Sequence, residues 1–149
     1  MVDATAAIEV LLVEDSETDG ELCVRALKKQ KLANKLLWVK DGAEALDFLF
    51  KTGPYAGASA DNRPKIVLLD LKLPKIDGLE VLQKIRGNEK TKTLPVVVLT
   101  SSKEERDLKQ AYELGANSFI TKPVGFESFA ATVSNLGFYW LAINRPPPG

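Results

Sequence analysis

The sequence contains no histidine and only one cysteine among its 149 residues. Without imidazole groups or a cysteine cluster, any metal ligands must be oxygen atoms, which favours hard cations such as Mg²⁺. A single cysteine also excludes an intramolecular disulfide. Because Cys23 lies among residues with helical apolar spacing, we expect it to be a buried structural thiol rather than a reactive one.

The chain also lacks an excess of either charge and any long hydrophobic run. Lysine plus arginine number 20 and aspartate plus glutamate number 20, so the formal net charge is zero, which argues against nucleic-acid and anionic-lipid partners. The C-terminal apolar stretch LGFYWLAI (136–143) is too short to cross a bilayer. The first residues, MVDATAA, lack the basic region and apolar core of a signal peptide. We therefore expect a cytoplasmic protein.

Five short apolar runs alternate with helical patterns along the chain. This alternation predicts an α/β fold in which helices cover both faces of a parallel sheet. The predicted strands are residues 8–13, 36–39, 65–69, 95–99 and 118–121. We expect one domain over residues 8–143, a flexible N-terminus over 1–7 and a proline-rich tail over 144–149.

Polar residues at helix starts support this division. Ser16 with Asp19, and Asp41 with Glu44, have the spacing of capping boxes, and Gly115 follows the fourth helix as a C-terminal cap. Gly20 weakens the first helix by about 1 kcal/mol relative to alanine, so its first turn is expected to fray. Residues 52–65 are rich in glycine, proline and small polar residues, which indicates a long surface loop.

The last helix begins near Phe126 and has apolar residues around much of its circumference. One stripe is expected to enter the core, and it consists of Phe126, Phe129, Val133, Leu136 and Trp140. A second set falls off that stripe: Phe138, Tyr139, Leu141 and Ile143. An apolar second face favours a homodimer. The alternative is that the proline-rich tail folds back over it.

Three acidic residues follow predicted strands and are the most informative feature present. Glu14 and Asp15 follow the first strand, and Asp70 follows the third. Ligands of open parallel sheets collect at the carboxyl ends of the strands, so these carboxylates should converge. At about 4 Å and an effective dielectric constant of about 20, each like-charged pair is unfavourable by roughly 4 kcal/mol. A divalent cation, Mg²⁺ by preference, would neutralise such a cluster.

Two further polar residues are predicted at the same edge of the sheet. Thr100 ends the run PVVVL, and Lys122 follows the run SFIT. A hydroxyl and an ammonium beside a carboxylate and a cation meet the needs of a phosphoryl group. Asp70 could then accept phosphorus as an acyl phosphate.

This arrangement on five strand and helix units resembles the receiver domains of two-component response regulators, the CheY-like family. The resemblance covers residues 8 to about 143 and implies a flavodoxin-like sheet with the strand order 2-1-3-4-5. It implies that Asp70 is the phosphoacceptor. It also implies that Mg²⁺ (or Mn²⁺) is held by Glu14, Asp15, Asp70 and the backbone carbonyl of Lys72.

The same resemblance implies how the signal is read. Thr100 and Lys122 would sense the phosphoryl group, and Phe119, three residues before the lysine, would switch its rotamer. Phenylalanine lacks the hydroxyl of the tyrosine often found there. Family members usually hold the peptide bond after this lysine cis. A histidine kinase is the implied phosphodonor, and catalysis is limited to the protein's own phosphorylation and dephosphorylation.

Several segments resemble more specifically the stand-alone receivers encoded with cyanobacterial and bacterial phytochromes. They are the long loop after the second helix, LDLKLPKIDG (69–78), LTSS (99–102) and FYWL (138–141). This similarity implies a phytochrome as the kinase and a homodimer built partly from the C-terminal region. It leaves open whether a histidine phosphotransfer protein is a further partner that receives the phosphoryl group from this chain.

Two other functions share part of this residue pattern. A haloacid-dehalogenase-type phosphatase also forms an aspartyl phosphate, but it needs a second aspartate two residues later, where this chain has Lys72. A receiver fold used only for docking would have no reason to keep an unfavourable charge cluster.

Overall fold

The computed structural model describes residues 8–31, 35–58 and 63–148. The predicted flexible segment 1–7 lies outside these ranges. Five parallel strands form one sheet in the order β2-β1-β3-β4-β5, which confirms the predicted topology. The strands are β1 (Val10–Val13), β2 (Leu36–Val39), β3 (Ile66–Leu69), β4 (Val96–Thr100) and β5 (Ser118–Thr121).

Helices alternate with the strands and cover both faces of the sheet. They are α1 (Glu17–Lys29), α2 (Gly42–Phe50), α3 (Gly78–Arg86), α4 (Glu105–Glu113) and α5 (Phe126–Gly137). A short 3₁₀ helix, Gly53–Tyr55, lies in the loop after α2, and α5 continues as a π-helical segment, Phe138–Ile143. None of the helices within the described ranges is long and apolar enough to span a membrane.

Two apolar cores lie on opposite faces of the sheet, because alternate residues of each strand point to opposite sides. In β1, Leu11 and Val13 pack with α2, α3 and α4, whereas Val10 and Leu12 pack with α1 and α5. Cys23 is fully buried in the second core, and burial raises the pKa of its thiol to about 12. The prediction of a structural thiol agrees with this position.

Gly20 has a packing role that the helical pattern did not reveal. It lies within a continuous α1, and a Cβ atom built on it would lie 2.0 Å from the Trp38 ring. Only glycine lets the helix approach β2 this closely. Packing against Trp38 offsets the low helix propensity of Gly20, and the first turn of α1 is formed in this structure; its fraying stays a prediction.

The last helix departs from the predicted stripe at two residues. Phe126 is 63% exposed, so its assignment to the core is wrong: it is the first residue of α5 and the chain has not yet turned toward the sheet. Leu141 packs against the second core together with Trp140. The π-helical turn changes the residue period and brings Leu141 onto the buried side.

Candidate metal and phosphoryl site

The carboxyl ends of β1 and β3 bring the acidic residues together. Val13 and Leu69 are paired in the sheet, and the backbone N–H of Asp70 donates to the Val13 carbonyl at 3.0 Å. Glu14 and Asp70 therefore leave neighbouring strands at the same level. Each of Glu14, Asp15 and Asp70 offers a carboxylate oxygen, and these oxygens lie within 4.8 Å of one another. The predicted convergence is confirmed.

The loop that follows Asp70 is held by α3. The Gly78 N–H donates to the Leu71 carbonyl at 2.9 Å, and a Cβ atom on Gly78 would lie 2.3 Å from the Asp70 carbonyl oxygen. Glycine is required here because the helix begins directly against the end of β3. At the start of α3, the Asp77 side chain caps the helix by accepting from the Glu80 N–H at 3.0 Å.

Lys122 reaches the acidic residues from the end of β5. Its backbone N–H donates to the Thr100 carbonyl at 2.7 Å, which fixes its level on the sheet. Its Nζ atom lies 2.7 Å from Glu14 Oε1 and 3.0 Å from Asp70 Oδ2. The side chain is only 7% exposed. The structure thus joins Lys122 to the carboxylates of two other strands, as the sequence predicts.

Thr100 lies between β3 and β5 at the end of β4 and is fully buried. Its hydroxyl is close enough to the Asp70 carboxylate to contribute to the lowered pKa of that group. It also accepts from the Ser102 N–H at 3.3 Å. Asp70 therefore contacts an ammonium donor and has a hydroxyl nearby, a combination that stabilises the anionic form of the carboxylate.

Burial and charge act in opposite directions on the two buried carboxylates. Burial raises the pKa of Glu14 to about 7, with a contribution from the nearby Asp70 charge and opposition from Lys122. Burial would also raise the pKa of Asp70, but Lys122 and the hydrogen bonds from Glu14 and Thr100 together lower it. Three carboxylates outweigh burial and raise the pKa of Lys122.

The donor set fits a divalent cation. Three carboxylates supply only oxygen ligands, and Asp15 is exposed, so that a hydrated ion can approach from solvent. Mg²⁺ and Mn²⁺ both accept oxygen ligands of this kind. The predicted carbonyl ligand, from Lys72, stays a prediction. The Lys72 N–H lies 3.4 Å from Asp70 Oδ1, so this residue does border the site.

Two residues near the site were missed by sequence reasoning. Asp19 was interpreted as half of a capping box, and its N–H does donate to Ser16 Oγ at 3.2 Å. Its side chain, however, accepts from Lys122 Nζ at 2.8 Å, while the Ser16 N–H donates to Glu14. Its place in the first turn of α1, directly after the acids that follow β1, is the signal that could have found it.

The second missed residue is Asp107, a buried acid in the first turn of α4. Its Oδ2 atom accepts from the Ser102 hydroxyl at 2.6 Å and lies 3.9 Å from Lys72 Nζ. Ser102 also donates its N–H to Thr100 Oγ1. Asp107 thereby connects α4 to the loop that follows Thr100. Its position on a polar helix gave no sign of burial.

Phe119 is half-buried on β5, opposite Val98, and packs against the first core. Its role as a switch stays a prediction. The Lys122–Pro123 peptide bond is trans, since none of the described residues forms a cis bond. The expectation of a cis bond is wrong for this structure, in which the intrinsically favoured isomer occurs.

This fold and site define a phosphoryl-accepting receiver, and comparison with known proteins agrees. A model of the response regulator receiver domain matches residues 10–134. The chain belongs to this family, which confirms the CheY-like fold predicted from the sequence and favours it over the phosphatase alternative.

Two relatives are similar to this chain over most of their length. The response regulator Rcp1 of Synechocystis sp. is 40% identical over 132 residues, which are 89% of this chain and 88% of Rcp1. The probable methanogenesis regulatory protein FilR2 of Methanothrix harundinacea is 40% identical over 147 residues, 99% of this chain and 92% of FilR2.

Solved structures give the same result. The phosphorylated cyanobacterial phytochrome response regulator RcpA superposes with a TM-score of 0.88 at 38% identity, and 96% of this chain and 100% of RcpA are covered. The Mn²⁺-bound form of Rcp1 gives a TM-score of 0.87 at 38% identity, with coverages of 95% and 99%. The chain is thus a receiver domain that resembles phytochrome response regulators.

Proposed function

We propose that this protein accepts a phosphoryl group from a histidine kinase onto Asp70. One oxygen of the Asp70 carboxylate would form a bond to phosphorus. The bond from phosphorus to the imidazole nitrogen of the kinase's phosphohistidine would break, leaving its electron pair on that nitrogen. The observation that carries the proposal is the contact of Asp70 with Lys122 Nζ at 3.0 Å, in a cluster of carboxylates that also includes Glu14 and Asp15.

The cation in this proposal is Mg²⁺, with Mn²⁺ as a substitute. Glu14, Asp15, Asp70 and the Lys72 carbonyl would hold it. When bound, such a cation supplies positive charge against the phosphoryl oxygens. Lys122 and Thr100 would bind those oxygens from the opposite side of Asp70. Support comes from the clustered oxygens of the three acids and from the metal in the related Rcp1 structure.

The output is a changed protein-binding surface. Phosphorylation adds about one negative charge and three acceptor oxygens to Asp70, which would draw Thr100 and Lys122 toward the phosphate. These two residues end β4 and β5, so the shift would reach α4 and Phe119. Slow loss of the phosphate by the protein's own catalysis would reset the switch.

Phosphorylation by a kinase or by the small donor phosphoramidate tests the assignment of Asp70. Intact-protein mass spectrometry should show one added phosphoryl group on the wild type and none on Asp70→Asn. Asp77→Asn is the matched control, because it changes an acid of the same loop and asparagine can still cap α3. Full labelling of Asp70→Asn would overturn the assignment.

A phytochrome is the proposed kinase partner, on the basis of similarity to Rcp1 and RcpA. We also propose that receiver and kinase meet in the cytoplasm and that a histidine phosphotransfer protein can receive the phosphoryl group onward. Transfer from a purified phytochrome kinase that exceeds transfer from an unrelated histidine kinase supports the pairing. Equal phosphoryl transfer from the two kinases would contradict the proposed pairing with a phytochrome.

A homodimer is proposed from the C-terminal region. Three large apolar residues of the π-helical segment are about half exposed, namely Phe138, Tyr139 and Ile143. Burial of such a surface by a second copy is favourable. Sedimentation at tens of micromolar should show a dimer, and Phe138→Ser with Ile143→Ser should dissociate it. A monomeric wild type, with and without a phosphoryl analogue, would leave the fold-back of the tail as the explanation.

A further inference from the structure

The Lys122 ammonium contacts two of the carboxylates that a divalent cation would need. It contacts Glu14 Oε1 and Asp70 Oδ2, both of which belong to the cluster proposed as metal ligands. Two cations repel each other, so an ammonium in this position competes with a metal ion. When a metal ion binds, the ammonium must find another counter-ion nearby, because its side chain is only 7% exposed.

Asp19 is the carboxylate placed to provide that counter-ion. Its Oδ2 lies 2.8 Å from Lys122 Nζ, and it does not belong to the group of three acids that could share one metal ion. Its side chain is 31% exposed, so it lies at the rim, whereas Glu14 is 2% exposed. Two of the carboxylates that contact Lys122, Glu14 and Asp70, are also expected to bind the metal ion. The third, Asp19, is not.

The position of Asp19 is fixed by the local structure. Its N–H donates to the Ser16 side chain, which caps α1, and the neighbouring Gly20 lies against the Trp38 ring. Because Gly20 has no side chain, the first turn of α1 approaches the strand ends closely. A bulkier residue would move Asp19 away from Lys122.

We propose that Asp19 is a positioning residue that holds Lys122 beside the site when a divalent cation takes over Glu14 and Asp70. This inference rests on the proposed function. With Asp19 present, Lys122 keeps a charged partner and stays within reach of an incoming phosphoryl group. Without Asp19, the ammonium remains on Glu14 and Asp70 and opposes metal binding.

Mn²⁺ binding to the full chain tests this role, measured by the loss of the electron paramagnetic resonance signal of free Mn²⁺. Asp19→Asn should weaken Mn²⁺ affinity about tenfold. A charge acting only through space would change the affinity by the same factor whether or not Lys122 is present. If Asp19 acts by positioning Lys122, the factor by which Asp19→Asn weakens Mn²⁺ affinity should be smaller in a Lys122→Met background than in the wild type. We expect the two factors to differ by about threefold or more.

Glu17→Gln is the matched control for charge on the same helical turn. Glu17 is exposed and paired with Lys40, so its substitution should change Mn²⁺ affinity by less than about twofold. Lys122→Gln serves as the second background if Lys122→Met does not fold, and circular dichroism checks each variant.

Two results would overturn the inference: an equal Asp19→Asn factor in both backgrounds, or an Asp19→Asn effect no larger than that of Glu17→Gln. These failures differ from failure of the proposed function. If the wild type itself does not bind Mn²⁺, the metal site is wrong. If the wild type binds Mn²⁺ and the factors are equal, only the role of Asp19 is wrong.

Discussion

The indole N–H of Trp38 donates to the backbone carbonyl of Glu14 at 2.8 Å. This bond joins β2 to the segment that carries two of the proposed metal ligands, Glu14 and Asp15. The chain has only two tryptophans, and the other, Trp140, packs on the second core far along the chain in the C-terminal helix. Trp38 is therefore a natural reporter of events at the site.

Beryllofluoride with Mg²⁺, a mimic of the phosphoryl group, should change the fluorescence of Trp38. We expect a saturable change in a Trp140→Phe variant and a much smaller one in Trp38→Phe, which retains only Trp140. The reason is that ligand binding shifts the Glu14 segment to which the indole is bonded. No response in fluorescence and no rise in melting temperature would favour the docking-only alternative.

Gly20→Ala should destabilise the protein. A Cβ atom at this position would lie 2.0 Å from the Trp38 ring, so the helix or the indole must move. The strain, about 1–3 kcal/mol in the free energy of unfolding, is offset by roughly 1 kcal/mol gained in helix propensity, so we expect a net loss of up to about 2 kcal/mol. Urea denaturation measures the difference.

Gly87→Ala is the control for this substitution. Gly87 has an ordinary helical φ of −83°, and its added Cβ would meet the Gln83 carbonyl oxygen at 3.3 Å and the Lys84 carbonyl oxygen at 3.9 Å. Its unfolding free energy should change by less than about 1 kcal/mol. An equal loss in both variants would show that the contact with Trp38 is not the cause.

Stability of the metal-free protein should fall as the pH rises from about 4.5 to about 7. The pKa of Glu14 is raised from 4.5 to about 7 by burial, so the folded state holds a proton that the unfolded state loses. The lowered pKa of Asp70 acts in the opposite sense, but only below its ordinary value of 3.8, outside this interval.

Thermal unfolding with a chelator, followed from pH 4.5 to pH 8, checks this dependence. Glu14→Gln should flatten the profile between pH 4.5 and 7, because glutamine does not titrate. Glu9→Gln, next to β1 and outside the site, should leave the profile unchanged. A wild-type profile that rises over this interval would contradict the assignment of the proton to Glu14.

Ser102→Ala should destabilise the protein by about 1–3 kcal/mol, because it leaves the buried Asp107 carboxylate without its hydroxyl donor. The neighbouring Ser101 is exposed, so Ser101→Ala should change the unfolding free energy by less than about 0.5 kcal/mol. Urea denaturation of the two variants gives the comparison. Similar small losses in both would mean that the bond from Ser102 to Asp107 adds little.

Much of this structure could be predicted because the apolar runs in the sequence indicate where the strands lie and where they end. All five strands lie where the runs predict, and the acids, Thr100 and Lys122 follow from the rule that parallel strands end at one edge. The Asp41 cap also forms as predicted, accepting from the Glu44 N–H at 2.8 Å.

The failures have different physical origins, and a local spacing rule contains none of them. Asp19 has a local role as a capping-box residue, and nothing local indicates that its side chain meets Lys122, 103 residues later. Phe126 satisfies the helical stripe but lies at the exposed start of α5. Leu141 is partly buried because the helix changes its period, which no spacing rule for α-helices predicts.

The most direct test of the account is to locate the phosphoryl group after transfer from a phosphorylated histidine kinase. Peptide mass spectrometry, before and after hydroxylamine treatment, identifies an acyl phosphate and its residue. The account predicts one hydroxylamine-sensitive phosphoryl group, on Asp70. A hydroxylamine-resistant group on a serine or threonine, or an acyl phosphate on another acid while Asp70 is unmodified, would contradict it.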